Sequence, residues 1–133
     1  MANAGDSFTI TLKRPHLEWG SYRYTDSRGI VYGEGYIPIK APDAYRLGLF
    51  NQNGTNYTDI YGKNLFYCES TDGLFSGVLR AQGNQSDECY AKQLAGDKNL
   101  KALGDWYYEI GASVGDQIRV YWISKTEIVI EKL

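Results

Sequence analysis

Between Arg80 and Gln93 the chain carries Arg80, Gln82, Asn84, Gln85, Lys92 and Gln93, and between Trp19 and Arg28 it carries Ser21, Arg23 and Arg28 interleaved with Trp19, Tyr22 and Tyr24. Arginine, glutamine and asparagine have forked donors and acceptors that match the edges of guanine and adenine, while lysine and arginine grip phosphates. The chemistry on offer is recognition of a nucleic acid by hydrogen bonding. Composition alone gives equal weight to a plainer reading, two solvated connections rich in turn-forming residues. The polar stretch from Arg80 runs about twenty residues, beyond the ~12–15 at which loops in compact domains become uncommon unless functional or disordered.

Other chemistries find less support. His16 is the single histidine and stands beside Pro15 with no cysteine at ligand spacing, so no metal or other cofactor is expected and His16 reads as a surface residue. There is no Gly-x-Ser-x-Gly elbow, and "GEG" lacks the lysine and following helix that phosphate binding needs. Asp59, Glu69 and Asp72 read as solvated turn residues before they read as an acid–base pair. Cys68 and Cys89 match neither a disulfide framework nor a zinc pattern, and both are expected as free thiols, Cys68 buried. A net charge of −2 argues against a wholly basic nucleic-acid binder, yet Lys13, Arg14, Arg23 and Arg28 gather near the front against only Glu18 and Asp26. No apolar run approaches the roughly 18 residues of a membrane span, and the start lacks a signal-peptide pattern, so a cytoplasmic protein away from membranes is expected.

The elements that must position these side chains are mostly strands. A chain of 133 residues with 15 glycines and 12 tyrosines suits one β-rich domain over residues 1–133. "SFTITLK" alternates, which points Phe8, Ile10 and Leu12 inward before Pro15 ends the strand. Pro38 demotes "YIPI" to an edge strand, and "APDAYRLGLF" reads as a helical turn opened by Pro42 and closed by Gly48. Gly-Lys-Asn suits a hairpin between "TNYTDIY" and "LFYCE". "GLFSGVL" reads as a strand ending at Leu79, followed by the polar loop. "NLKALGDWYYEIG" sets Leu100, Leu103, Tyr107 and Ile110 at helical spacing with Gly111 as its stop. "DQIRVYWI" and "TEIVIEKL" close the chain as alternating strands joined through Ser124 and Lys125. Seven or eight strands with one helix and one helical turn favour a mixed or antiparallel barrel over a doubly wound sheet.

Two stretches add a resemblance. "LEWGSYRYTDSRGIVYGEGYIPI" resembles the Leu-x-Trp-Gly, arginine and Tyr-Ile-Pro-Ile series in the C-terminal domains of NgoFVII-family restriction endonucleases, and "LRAQGNQ" with "LGDWYYEIGASVGDQI" resembles that domain's Val-Arg-Ala-Gln loop and the helix after it. The order is shared over roughly residues 17–123, with divergence at 51–70 and at the C-terminal end. The resemblance implies a B3-like DNA-binding pseudobarrel: mainly β with short helices, seven strands in an open barrel, and two arms that enter the major groove. The N-terminal arm would be about Trp19–Gly35 and the C-terminal arm about Arg80–Gln93. Trp19, Arg23 and Arg28 fall on the first arm, with Trp19 equally a core residue. Glu34 falls where it would accept from a cytosine amino group. Arg80 and Gln82 match Arg-Ala-Gln and lead the candidates for base reading, Arg80 having the alternative of pairing with a carboxylate at the core edge. Asn84, Gln85 and Lys92 follow.

The nuclease domain that accompanies this family, with its His-x-Lys motifs, has no counterpart in these residues. The expectation is a sequence-specific double-stranded DNA-binding module, free-standing or serving a nuclease domain or subunit, and not an enzyme by itself. The alternative is a carbohydrate- or small-ligand-binding β-module whose tyrosines and tryptophans line a cleft.

Overall fold

The computed structural model describes residues 2–17, 35–51, 60–83, 90–99 and 101–133. Among them, seven strands form one sheet: β1 (Ser7–Thr11), β2 (Ile37–Pro38), β3 (Leu65–Ser70), β4 (Ser76–Gln82), β5 (Gln93–Gly96), β6 (Gln117–Trp122) and β7 (Glu127–Lys132). Their order is β1-β6-β7-β3-β4-β5-β2. Neighbours are antiparallel except for β3 and β7, which run parallel. The sheet curls into a nearly closed barrel with β1 and β2 as its edges, the mainly β open pseudobarrel expected from the sequence. Three short helices accompany it, α1 (Arg14–Leu17), α2 (Ala41–Leu47) and α3 (Ala102–Glu109). None of the described helices is long and apolar enough to cross a membrane.

Alternation builds the core. Phe8, Ile10, Ile118, Val120, Trp122, Ile128 and Ile130 are all buried, and the register sets Phe8 opposite Val120 and Ile10 opposite Ile118. Each such side chain taken out of water contributes about 1.5–3 kcal/mol before chain entropy is subtracted. Cys68 joins this core as a free thiol, and burial, with the charge of Glu69, pushes its pKa up. Pro38 lies on an edge strand, where its missing N–H costs no ladder bond. Pro42 opens α2, and Gly48 closes it in the left-handed region at φ 63°.

Four elements differ from the sequence reading. β4 continues past Leu79 to Gln82, because Leu79 and Ala81 face the core while Arg80 and Gln82 take the other face of the same ladder. β5 lies inside the stretch read as one long loop. Its four residues are all buried, so "QLAG" has no alternation to reveal a strand. Around Pro15 the chain makes the turn α1 after β1 has ended at Thr11. α3 begins at Ala102 and buries Leu103, Trp106 and Tyr107, with Ile110 half-buried; Leu100 lies outside the described residues. The first arm of the hairpin expected before β3 also lies largely outside them, and Gly62–Asn64 form the turn that leads into β3.

α3 is tied to the barrel by its aromatic residues. The Trp106 indole N–H donates to the Asp72 carboxylate at 3.0 Å, beyond the end of β3. What little burial Asp72 has would raise its pKa, but hydrogen bonds from the Ser70 hydroxyl, the Leu74 amide and Trp106 outweigh that and hold it below the usual carboxylate range. The Tyr107 hydroxyl donates to the Tyr36 carbonyl at 2.9 Å, just before β2. α3 therefore fixes the point at which the chain enters the edge strand.

Candidate nucleic-acid interface

The first proposed arm leaves the described chain after Leu17 and returns at Gly35. Its two ends are pinned together: the Tyr36 N–H donates to the His16 carbonyl at 3.1 Å, and the two rings meet edge to face at 5.1 Å. Gly35 packs directly on the α3 backbone, where a Cβ would lie 2.9 Å from Gly104 Cα and 3.2 Å from the His16 carbonyl. His16 Nδ1 accepts the Lys13 N–H at 2.9 Å, which makes Nε2 the protonated nitrogen of the neutral ring. Burial, then the charge of Lys13, lowers the His16 pKa and favours that neutral form.

The second arm leaves at Gly83 and returns at Tyr90. The Lys92 N–H donates to the Gln82 carbonyl at 2.9 Å, and the Ala91 N–H donates to Leu49 at 2.8 Å, which closes its foot. Asn51, fully buried, accepts the Gly83 N–H on its side-chain oxygen at 2.8 Å. A Cβ at Gly83 would fall 2.9 Å from that amide nitrogen, so a larger residue there would displace the Asn51 side chain. Residues 52–59 also depart from Asn51, so two polar segments share one anchored root. Asn51→Ala strands the Gly83 donor away from water, with an expected loss of about 1–2 kcal/mol. The shift in urea midpoint measures it, and an unchanged midpoint would remove the anchor.

Three of the twelve sequence-predicted site residues fall within the described chain, and they gather on the β4–β5 hairpin. Arg80 and Gln82 share the outward face of β4, and Lys92 is exposed beside the start of β5. Arg80 is engaged: Nε and one terminal nitrogen donate to Asp97 Oδ1 at 2.9 and 2.6 Å. Asp97 is the diagonal neighbour of Arg80 across the hairpin, on the side away from the arm. This is the carboxylate pairing that stood as the alternative for Arg80. Gln82 lies opposite the buried Gln93. Trp19, Ser21, Tyr22, Arg23, Tyr24, Arg28, Glu34, Asn84 and Gln85 lie outside the described residues, as does Cys89.

Sequence reading missed two features. Asn51 gave no signal, because a buried asparagine in "NQNG" looks like any turn residue. Tyr45, Tyr90 and Phe50 form a staircase with successive ring centroids 4.1 and 5.5 Å apart, and Lys63 Nζ stands 5.6 Å from the Phe50 centroid. Tyr45 is 66% exposed at its outer step. These rings come from separate elements and meet only in the fold. Among the described residues no group of histidines, cysteines and carboxylates is arranged to hold a metal ion.

β2 and β5 pair antiparallel, with Ile37 opposite Leu94 and Pro38 opposite Gln93. The Ile39 N–H donates to the Lys92 carbonyl at 2.8 Å. The first arm's foot, at Tyr36, and the second's, beside Ile39, therefore flank β2 three residues apart along the chain, about 10 Å at the usual strand rise. Comparison of the chain with family models, curated proteins and solved structures found no match.

Proposed function

We propose that this domain is a sequence-specific double-stranded DNA-binding module, the target-recognition part of a restriction or related system, which reads the major groove with the segments at 18–34 and 84–89. The supporting observation is the placement of their feet. The feet of both polar segments are hydrogen-bonded to the chain on either side of β2, at Tyr36 and at Ile39, about 10 Å apart, a spacing close to the ~12 Å width of the major groove. The sequence resemblance points the same way. Arg23, Arg28, Gln82, Asn84 and Gln85 are assigned to base edges and Lys92 to phosphate, with Trp19, Ser21, Tyr22, Tyr24 and Glu34 as further contacts. Arg80 acts through its ion pair with Asp97, which braces the hairpin that carries the second arm. The reading places the protein in the cytoplasm, where Cys68 stays reduced, working with a nuclease domain or subunit that supplies any cleavage.

Selection from a randomised duplex library at about 100 mM salt tests the reading, because contacts to phosphate alone enrich nothing. An enriched site is expected, and recovery of random sequence would sink it. The role of Arg80 is separable in the same assay. Arg80→Ala and Asp97→Ala are both expected to weaken all duplexes alike, through a loosened hairpin. If Arg80→Ala instead relaxes selectivity at a single base pair, worth about 1–3 kcal/mol, while Asp97→Ala does not, Arg80 is a base reader.

The aromatic staircase favours a second reading, a module that stacks a sugar or another flat ligand on Tyr45. Affinity for a glycan array that is indifferent to salt and lost in Tyr45→Ala would select it over DNA. Steep salt dependence on duplex DNA would select against it.

A further inference from the structure

The barrel is open along one seam, where the edges β1 and β2 face each other without strand pairing among the described residues. The seam is bridged at one end by the Tyr36 N–H to the His16 carbonyl, and at the other by Arg46, which donates to the Ser7 carbonyl at 2.8 Å. Between these bridges lies a cleft of about 270 Å³ with Ile10 and Ile39 among its walls and Thr11, Lys13, His16 and Lys40 at its polar margin. Among the described residues no carboxylate lines it. Lys13 and Lys40 are exposed and make no ion pair with the described residues, whereas Arg46, on the helix that follows, is paired with Asp43 at 3.1 Å. With Nδ1 committed to Lys13, the Nε2–H of neutral His16 is a donor without an acceptor among the described residues.

Two ammonium groups and an imidazole N–H, with a hydroxyl that can also donate, give one concavity a set of donors carrying positive charge, matched to a tetrahedral oxyanion and hostile to a cation. We propose that the seam cleft of Lys13, His16 and Lys40 binds a phosphate group. Resting on the DNA reading above, that group is a backbone phosphate of the bound duplex, held beside the foot of the first arm. It contributes grip and register but no base discrimination. A free phosphate would satisfy the same donors, and the experiment separates the two sources.

The duplex recovered by selection is titrated over a range of salt with wild type, Lys13→Ala/Lys40→Ala and, as a control at the exposed β6–β7 turn, Lys125→Ala. One phosphate contact contributes a slope of about 0.9 in log affinity against log salt. The double variant is expected to lose about that much slope and to bind several-fold more weakly, with the ranking of duplexes unchanged and the control unaltered. In parallel, inorganic phosphate is added to the free protein, and the backbone amide resonances of Lys13, His16 and Lys40 are followed. Shifts present in wild type and absent in the double variant support the cleft even if no duplex binds, and with an unchanged slope they assign it to free phosphate. If the salt slope is unchanged and phosphate shifts none of these resonances, the proposal is overturned, while a DNA-binding protein would leave the broader reading standing.

Discussion

Trp122→Ala is expected to remove about 3 kcal/mol of folding stability, at the lower end of the 3–5 typical for truncating a buried tryptophan. Trp122 is fully buried on β6, 6.0 Å from the Phe8 ring and 5.7 Å from Phe66, so alanine leaves a cavity walled by two rigid aromatic residues. The loss falls at the lower end because the indole nitrogen is buried without a hydrogen-bond partner, and truncation relieves that cost. Trp122→Phe, which also removes the orphan N–H and keeps most of the packing, is expected to cost about 1 kcal/mol or less. Domains of this size hold roughly 5–15 kcal/mol, so the alanine variant stays folded with its thermal midpoint lowered by about 10 °C. Urea unfolding measures it, with the midpoint lowered and the slope retained. A loss below 1 kcal/mol for alanine would contradict the packing of Trp122.

The second large effect is Gly35→Ala, with about 2–3 kcal/mol lost as the added methyl meets its neighbours. The atoms in its way, Gly104 Cα and N and the His16 carbonyl oxygen, all belong to backbone, so no side chain can swing aside. Gly104 itself sits inside α3, where glycine costs about 0.5–1 kcal/mol relative to alanine, and the close approach of Gly35 explains its presence. The change separates the first arm's foot from the helix, so faster amide exchange at Tyr36 is expected beside the lower stability. Weakened DNA binding should follow in the same variant. An alanine variant as stable as wild type, with Tyr36 still protected, would show that the two glycine backbones do not touch.

Much of the barrel was legible because a half-buried strand writes its burial into the chain. β1, β6 and β7 alternate cleanly, and the inward residues predicted for β1, Phe8, Ile10 and Leu12, are all buried. Gly48 and Gly111 mark helix ends in the left-handed conformation, as their positions suggested. β5 was illegible for the opposite reason. Covered on both faces, it has no period, and the polar residues around it made a strand look like loop. The extension of β4 was hidden by Arg80 and Gln82, whose polar side chains belong to the outer face of a strand that runs on to Gln82. At the candidate site, residue types were visible but partners were not. Asp97 stands 17 residues beyond Arg80 and reads as a turn residue until the hairpin register brings the two together. The seam cleft was equally hidden, since Lys13 and Lys40 meet only where a sheet fails to close. His16, read as a plain surface residue, is half-buried at the foot of the first arm.

The parallel pairing of β3 and β7 also governs how the barrel is assembled. β7 stands between β6 and β3, so among the described strands β1 and β6 pair with the remaining four-strand arc only through the most C-terminal of the seven. Tyr67 and its partner Glu127 are some sixty residues apart, a non-local closure of the kind that slows folding. Without that strand, β1 and β6 have no strand pairing to the rest of the sheet among the described residues. The two parts of the sheet, and with them the two walls of the seam, are therefore joined by the last of the described strands in the chain.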